Sequence, residues 1–179
     1  MAETTPSWNR GRVQVYTGDG KGKTTAAFGL ALRAAGRGLK VFVAQFAKGR
    51  ESGEVLAAER FADLITVSRF GKNTFIRGEP DHRDRDEAQR GMRIVRDILA
   101  EGAYPLVILD EINIATHYGL VSVEDLLDAI ERRARNVEVV LTGRNADPRV
   151  LAVADLVTDM RAVKHYFTQE TPAREGIEE

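Results

Sequence analysis

Residues 17–25, TGDGKGKTT, join an apolar run typical of a β-strand to a run of small and apolar residues typical of a helix. A glycine-rich loop in this position, ending in Gly-Lys-Thr, is the layout of a phosphate-binding loop. Glycine lets the backbone curl so that several N–H groups point into one concavity, and the following helix adds partial positive charge. The lysine supplies a full charge, and the threonine hydroxyl can reach a phosphate-bound magnesium ion. The sequence therefore predicts a nucleotide bound by its phosphates.

The loop departs from the strict phosphate-loop pattern at one position. That pattern has a glycine five residues before Gly22, where this chain has Thr17. Gly18 and Gly20 can supply the turn instead, and Lys21 adds a second cation. The alternative interpretation is an ordinary strand-to-helix turn that happens to be rich in glycine, and the Gly-Lys-Thr ending argues against it.

The length of 179 residues fits one domain with a full hydrophobic core. We expect a flexible arm over residues 1–10 and a single nucleotide-binding domain over residues 11–179. Trp8 is the residue of the arm that we expect to dock on the domain. The net charge of −1 implies no general attraction to nucleic acid or to an anionic membrane, so any anion site must be local.

The chain contains no cysteine, which excludes disulfides, thiolate metal sites and a cysteine nucleophile. This composition fits a reducing compartment, and we expect a cytoplasmic location. No apolar stretch in the sequence approaches the roughly 20 residues that span a bilayer. Basic and aromatic residues form no interleaved patch. We therefore expect neither a membrane nor a nucleic acid as a partner.

Runs with strand character alternate with runs with helix character along the chain. The predicted strands cover residues 12–16, 39–44, 64–67, 105–109, 137–141 and 156–159. The predicted helices cover residues 26–37, 54–62, 81–101, 122–135 and 147–154. This alternation predicts an α/β fold of the P-loop NTPase kind, with a mostly parallel central sheet of about six strands and helices on both faces. Ligands of such folds bind beyond the carboxyl ends of the strands, where the glycine loop lies.

Two other groups of residues follow predicted strands. Asp110 and Glu111 come directly after an apolar strand, and an acidic residue at the end of a neighbouring strand helps to hold magnesium in phosphate-loop proteins. The alternative is an acidic strand end at a solvent edge, and spacing does not decide which carboxylate contacts the metal. Phe46 and Lys48 are candidates to line a pocket, and the alternative is a core aromatic and a solvated lysine.

Several segments together resemble the ATP:corrinoid adenosyltransferases, also called cob(I)alamin adenosyltransferases. The first is the loop and the start of its helix, TGDGKGKTTAAFG, because the loop of that family also has threonine where other families have the first glycine. The other matching segments follow in the family's order and extend the resemblance from about residue 12 to residue 178: VAQF at 43–46, KG at 48–49, GEP at 78–80, LDEIN at 109–113, LTGR at 141–144 and RAVKH at 161–165.

The resemblance implies a transfer of the 5′-deoxyadenosyl group, in adenosylcobalamin synthesis or salvage. Corrinoid cobalt, reduced to Co(I), attacks C5′ of ATP, and triphosphate leaves. The acceptor is cob(I)yrinic acid a,c-diamide or cob(I)alamin. The resemblance implies that ATP contacts the loop residues Gly18, Asp19, Gly20, Lys21, Gly22, Lys23, Thr24 and Thr25. It further implies catalytic roles for Lys23, Thr24 and Glu111, and a Mg²⁺ ion held by Thr24 with Asp110 or Glu111.

The corrinoid contacts are where the chain departs from the family. Family members often have an aromatic pair before Gly-Glu-Pro, and the corresponding positions here fall near Thr74 and Ile76, with Phe75 between them. We expect Thr74, Phe75, Ile76 and Phe46 to contact the corrinoid. The resemblance also implies a homodimer and an electron-donating reductase as a partner. Members of the family can use an N-terminal arm to cover the site, and the sequence leaves open whether the short arm over residues 1–10 does so.

Two other functions remain open from the sequence. In an ATPase or a nucleotide-dependent switch, Glu111 would orient a water molecule for attack on the γ-phosphate, and Arg144 would act as a sensor. In a corrinoid carrier, ATP would bind without turnover. The products distinguish the three: triphosphate with a Co–C bond, ADP with phosphate, or none.

Overall fold

The computed structural model describes residues 6–47, 52–71 and 80–178. Its centre is a six-stranded sheet in the order β3-β2-β4-β5-β1-β6. The strands are β1 (Val13–Thr17), β2 (Val41–Phe46), β3 (Ile65–Phe70), β4 (Leu106–Asp110), β5 (Glu138–Thr142) and β6 (Leu156–Asp159). Every pairing between neighbouring strands is parallel, which confirms the predicted α/β class and the strand number.

The helices occupy the connections between the strands. They are α1 (Lys23–Ala35), α2 (Gly53–Ala58), α3 (His82–Glu101), α4 (Ile112–His117), α5 (Val123–Glu131) and α6 (Pro148–Val153). Short 3₁₀ turns cover Glu59–Phe61 and Tyr166–Gln169. The sequence does not predict α4, which begins directly after β4 and its single following residue. Among the described residues, no helix has both the length and the apolar character needed to cross a membrane.

The apolar side chains form two clusters, one on each face of the sheet. Successive side chains of a strand point to opposite faces, so β4 contributes Leu106 and Ile108 to one cluster and Val107 and Leu109 to the other. The first cluster packs against the small residues of α1, and the second packs against α3 and α5. Both faces are therefore covered, as the uninterrupted apolar run of β4 predicts.

The N-terminal residues that the structure describes contact the body of the domain. The indole N–H of Trp8 donates to the carbonyl of Asn136 at 2.9 Å, which agrees with the expected docking of this side chain. The N–H of Gly11 donates to the carbonyl of Arg135 at 2.8 Å. These two bonds attach the start of the chain to the turn that precedes β5.

The strand order decides which residues meet at the site. The strand that ends in Asp110, β4, is separated from β1 by β5. The carboxyl ends of parallel strands meet at one edge of the sheet, so the loop after β1, Gln45, Asp110 and Thr142 all reach the same edge. The last residue of β5 therefore lies between the phosphate loop and the acidic residue.

Candidate functional site

Two glycines shape the loop between β1 and α1. Gly18 has a φ of +92° and Gly22 a φ of +115°, a left-handed region that other residues rarely adopt. A Cβ atom on Gly18 would lie 2.2 Å from Oδ1 of Asp159 at the end of β6. The N–H of Gly20 donates to the carbonyl of Met160 at 2.6 Å. The loop therefore packs closely against the end of β6 and the residue after it. This contact leaves no room for a side chain at Gly18.

The start of α1 differs from the starts of three other helices. Side chains accept hydrogen bonds from first-turn N–H groups in α3, α5 and α6, where the capping residues are Asp81, Ser122 and Asp147. In α1 the residue at the cap is Gly22, which has no side chain to accept such a bond, and the first turn contains no acidic residue. The helix therefore supplies no capping side chain of its own at this end, which is the arrangement that favours a bound phosphate.

Lys23 is held over the loop. Its Nζ donates to the carbonyl oxygens of Gly18 at 2.6 Å and Gly20 at 2.7 Å, and the residue is buried. Burial lowers the pKa of Lys23, and the negative charge of Glu111 acts in the opposite direction. The lysine therefore stabilises the curl of the loop and places a cation in its concavity.

Asp110 is the centre of a buried hydrogen-bond network at the end of β4. Its Oδ1 accepts from the hydroxyl of Thr24 at 2.9 Å and from that of Thr142 at 2.7 Å. Its Oδ2 accepts from Nε2 of Gln45 at 3.0 Å. Asp110 is fully buried, and a buried carboxylate is stable only when such donors surround it. Three elements, α1, β2 and β5, therefore set the position of this carboxylate.

The Asp110 network suits a magnesium ion. The Thr24 hydroxyl and the Asp110 carboxylate are hard oxygen ligands, and they lie within hydrogen-bond distance of each other. Gln45 Oε1 is a buried acceptor with no donor among the described residues. The described part of the chain contains no group of three or more His, Cys, Asp or Glu side chains that could hold a metal by themselves. Magnesium commonly needs only one or two protein carboxylates when substrate phosphates complete its coordination.

Glu111 lies in a turn that contacts the turn after β5. Its φ is +60°, an uncommon value for a residue with a side chain, and its N–H donates to the Thr142 hydroxyl at 2.9 Å. A Cβ atom on Gly143 would lie 3.1 Å from Glu111 Oε2, and Asn113 Nδ2 donates to the Gly143 carbonyl at 3.1 Å. The half-buried carboxylate of Glu111 is therefore held beside the Asp110 network. Glu111 directly follows Asp110 in the chain but lies outside β4, which ends at Asp110.

Three other predicted loop residues contact groups outside the concavity. Asp19 is exposed, and its Oδ1 lies 4.0 Å from Nε of Arg144. The hydroxyl of Thr25 is 3.3 Å from Oε1 of Glu54 on the surface. Lys21 contacts the C-terminal segment, residues 166–178. The structure thus brings Gly18, Gly20, Gly22, Lys23, Thr24, Asp110 and Glu111 together and directs the side chains of Asp19, Lys21 and Thr25 elsewhere.

The predicted corrinoid contacts cannot be followed in the same way. Thr74, Phe75 and Ile76 lie outside the described residues, as does Lys48. Phe46 is fully buried and packs against Phe70, with ring centroids 5.6 Å apart. Contact between Phe46 and a corrinoid stays a prediction, and it would require this buried ring to become accessible.

Two residues of this edge received no role from the sequence, and a third, Arg144, received one only in the ATPase alternative. Thr142 and Gln45 bind the Asp110 carboxylate, although each matches the family only as part of a longer segment. Arg144 contacts Asp19, and its positive charge lowers the pKa of Lys23. All three lie at or just after the carboxyl end of a strand, which is the feature that could have identified them.

Comparison with known proteins agrees with this geometry. The family model for the ATP:corrinoid adenosyltransferases BtuR/CobO/CobP matches residues 9–178. A corrinoid adenosyltransferase of Pseudomonas aeruginosa is 38% identical over 170 residues, which cover 94% of this chain and 84% of that protein. A corrinoid adenosyltransferase of Escherichia coli K12 is 36% identical over 172 residues, which cover 94% of this chain and 86% of that protein. The corrinoid adenosyltransferase CobA of Salmonella typhimurium is also 36% identical, over 176 residues.

The match spans nearly the whole chain and includes the loop, the Asp110 network and the C-terminal segment. It confirms the resemblance that the sequence motifs indicate. This chain belongs to the ATP:corrinoid adenosyltransferase family and is a transferase that acts on ATP and a corrinoid.

Proposed function

We propose that the phosphate loop holds the triphosphate of ATP, with Mg²⁺ at Thr24 and Asp110, while a Co(I) corrinoid attacks C5′ from the open side. The observation that carries the proposal is the hydrogen bond between the Thr24 hydroxyl and Asp110 Oδ1, at the uncapped start of α1. It brings a magnesium-binding pair and an anion-binding helix start to the same place.

The reaction needs no base or nucleophile from the protein. The electron pair of Co(I) forms the Co–C5′ bond, and the C5′–O5′ bond breaks with its pair on the leaving triphosphate. No proton is transferred. The task of the chain is to place C5′ in line with cobalt and to stabilise the negative charge that develops on the leaving oxygen.

We assign the stabilisation of this charge to groups of the described chain. Lys23 Nζ and the first-turn N–H groups of α1 would donate to the phosphates. Arg144 would supply a further cation, since it follows β5 and its charge already acts on Lys23. When bound, Mg²⁺ neutralises phosphate charge and acts as a Lewis acid.

The geometry also favours one of the two carboxylates. Asp110 directly contacts Thr24, so we assign it to the metal, and Glu111 is next to it in a half-buried position. Glu111 would then accept hydrogen bonds from metal-bound water. The proposal thus gives different roles to two carboxylates that spacing alone cannot distinguish.

The finer identity of the substrates and partners is part of the same proposal. Both cob(I)yrinic acid a,c-diamide and cob(I)alamin are candidate acceptors, and the ratio of their kcat/KM values determines the preference. A homodimer, a reductase that delivers electrons to cobalt and a cytoplasmic location stay predictions. Size-exclusion chromatography with light scattering tests the dimer.

The test of the proposal is anaerobic incubation with ATP, Mg²⁺ and chemically reduced corrinoid, followed by identification of both products. We expect a light-sensitive adenosyl corrinoid and one equivalent of triphosphate. ADP and phosphate formed without corrinoid would instead support an ATPase, and binding without products would support a carrier.

The matched variants are Lys23→Ala and Lys40→Ala. Lys40 precedes β2 and therefore lies at the opposite, amino edge of the sheet. We expect K23A to lower kcat/KM by at least about 100-fold, a magnitude typical for loss of one charge-stabilising donor. We expect K40A to retain the wild-type rate. A near-normal rate for K23A would refute the assignment of the loop.

A further inference from the structure

The C-terminal segment, residues 166–178, contacts the phosphate loop through Lys21. Lys21 Nζ donates to the carbonyl of Ile177 at 2.7 Å and to Oε1 of Glu178 at 2.9 Å. It also lies 5.8 Å from the centroid of the Tyr166 ring. Lys21 therefore binds a part of the chain more than 150 residues downstream of the phosphate loop.

Within the C-terminal segment, several contacts hold the Glu178 carboxylate that binds Lys21. Glu178 Oε2 accepts from the N–H of Arg174 at 3.0 Å and from its Nε at 3.1 Å, and Oε1 accepts from a terminal guanidinium nitrogen at 3.0 Å. The Arg174 guanidinium lies 5.0 Å from the centroid of the Tyr166 ring. These contacts, Arg174 first and Lys21 second, lower the pKa of Glu178 to about 2. Glu178 is therefore ionised throughout the neutral range, and Arg174 helps to hold its carboxylate beside Lys21.

The ammonium group of Lys21 is already bound to two acceptors of the C-terminal segment. Contact with a triphosphate would require it to leave the Ile177 carbonyl and the Glu178 carboxylate, which would then keep Arg174 as its partner. Lys23, in contrast, directs its ammonium at the loop carbonyls of Gly18 and Gly20. The two lysines of the loop therefore have different contacts, and only one of them points into the concavity.

The bond between Lys21 and the C-terminal segment also stabilises the conformation of the phosphate loop. Gly20 is attached to Met160 by a backbone hydrogen bond of 2.6 Å, and Lys21 is attached to Glu178 by an ion pair. Two consecutive loop residues are thus tied to two different points of the chain that follows β6. These ties oppose any opening of the curl that presents the backbone N–H groups.

We propose that Glu178 is a positioning residue for the phosphate loop, which it holds through Lys21, and that Lys21 joins the C-terminal segment to the loop instead of contacting the triphosphate. The inference rests on the proposed function of the loop as the triphosphate site. It changes the role expected for Lys21 from a phosphate ligand to a structural link.

The test measures binding of inorganic tripolyphosphate and of ATP, each with Mg²⁺, by isothermal titration calorimetry on the full chain. The variants are Lys21→Ala, Glu178→Gln and the double variant. We expect each single change to weaken tripolyphosphate binding by a similar factor, about 3- to 10-fold, and the double variant to be no weaker than either, because one interaction is lost in all three. In the transfer assay we expect the KM for ATP to rise while kcat at saturating ATP is retained.

Two further variants provide controls. Glu175→Gln removes the same charge from the same segment, at an exposed position, and should leave tripolyphosphate binding within about twofold of the wild type. Glu178→Asp keeps a carboxylate on a shorter side chain, and we expect it to weaken binding less than Glu178→Gln. Far-UV circular dichroism and thermal melting establish that each variant is folded, and Glu178→Asp replaces Glu178→Gln in the cycle if the latter does not fold.

Other outcomes would overturn the inference. Direct contact between Lys21 and the triphosphate predicts that Lys21→Ala weakens binding while Glu178→Gln leaves it unchanged or strengthens it. Additive effects in the double variant would likewise refute a shared interaction. Failure of the proposed function itself has a separate result, since the wild-type protein would then neither bind tripolyphosphate nor form the adenosyl corrinoid.

Discussion

Replacement of Thr142 by valine removes one hydroxyl from the Asp110 network and nearly preserves the shape of the side chain. That hydroxyl donates to Asp110 Oδ1 at 2.7 Å and accepts from the Glu111 N–H at 2.9 Å. Thr142 and Asp110 are both fully buried, so water does not replace the lost partner. The variant leaves a buried carboxylate with one donor fewer and a backbone N–H without its acceptor.

The expected loss of stability follows from these two bonds. A hydrogen bond to a charged group contributes about 1.5–3 kcal/mol, and an unsatisfied buried donor costs about 1–3 kcal/mol. Because the structure around the site can relax, we expect a total at or slightly below the lower end of their sum, about 2–3 kcal/mol. In a domain of this size, this corresponds to a decrease in Tm of about 4–12 °C.

Differential scanning calorimetry on T142V and on T158V tests this reasoning. Thr158 is an exposed residue of β6, so the same change there should alter stability by no more than about 0.5 kcal/mol. We also expect T142V to need more Mg²⁺ for half-maximal activity, because Asp110 loses one of the contacts that position it. A T142V protein that melts within about 1 °C of the wild type would refute the role assigned to the network.

Two further predictions concern stability away from the site. A Cβ atom on Gly91 of α3 would lie 2.4 Å from Cγ of the buried Phe70 ring, so G91A should lower the free energy of unfolding in urea by about 1–2 kcal/mol in spite of its higher helix propensity. G29A, in a part of α1 with nothing within 4 Å, should raise it; equal effects would contradict the packing argument. The Val13 N–H and Arg12 lower the pKa of Asp155 in the folded protein. The ionised Asp155 therefore stabilises the fold above the unfolded-state pKa of about 3.9, and this stabilisation is lost as the pH falls through the lower pKa of the folded state. D155N should therefore be less stable than the wild type at pH 7, with the difference in Tm shrinking on acidification; a constant difference would refute the linkage.

The sequence predicts the architecture well because its strongest patterns are local. The apolar runs and the glycine loop each depend on a few adjacent residues, and the structure confirms the strands and the strand-loop-helix unit that they predict. The helix α4 was missed because it has six residues and follows a left-handed residue, Glu111, that no periodicity reveals. The end of β2 was predicted at residue 44, whereas the strand extends through Gln45 and Phe46, both fully buried.

The candidate site is predicted only in part because its contacts join distant segments. Spacing identifies Lys23, Thr24 and the acidic pair, but not the order of the strands that brings Thr142 beside Asp110. The contacts of Lys21 could not be inferred either. They depend on where residues 166–178 return to the loop, and the sequence of that segment shows no strong pattern.

The alanines of α1 connect the packing of the core to the chemistry at its edge. Ala27, Ala31, Ala34 and Ala35 are buried, and such short side chains allow the helix backbone to approach the sheet closely. Ala31 lies seven residues beyond Thr24, or about 10 Å along the helix axis. A larger side chain at Ala31 would tilt α1 away from the sheet and move the Thr24 hydroxyl away from Asp110. A substitution in the hydrophobic core would then weaken nucleotide binding, although Ala31 itself lies about two helical turns from the proposed phosphate site.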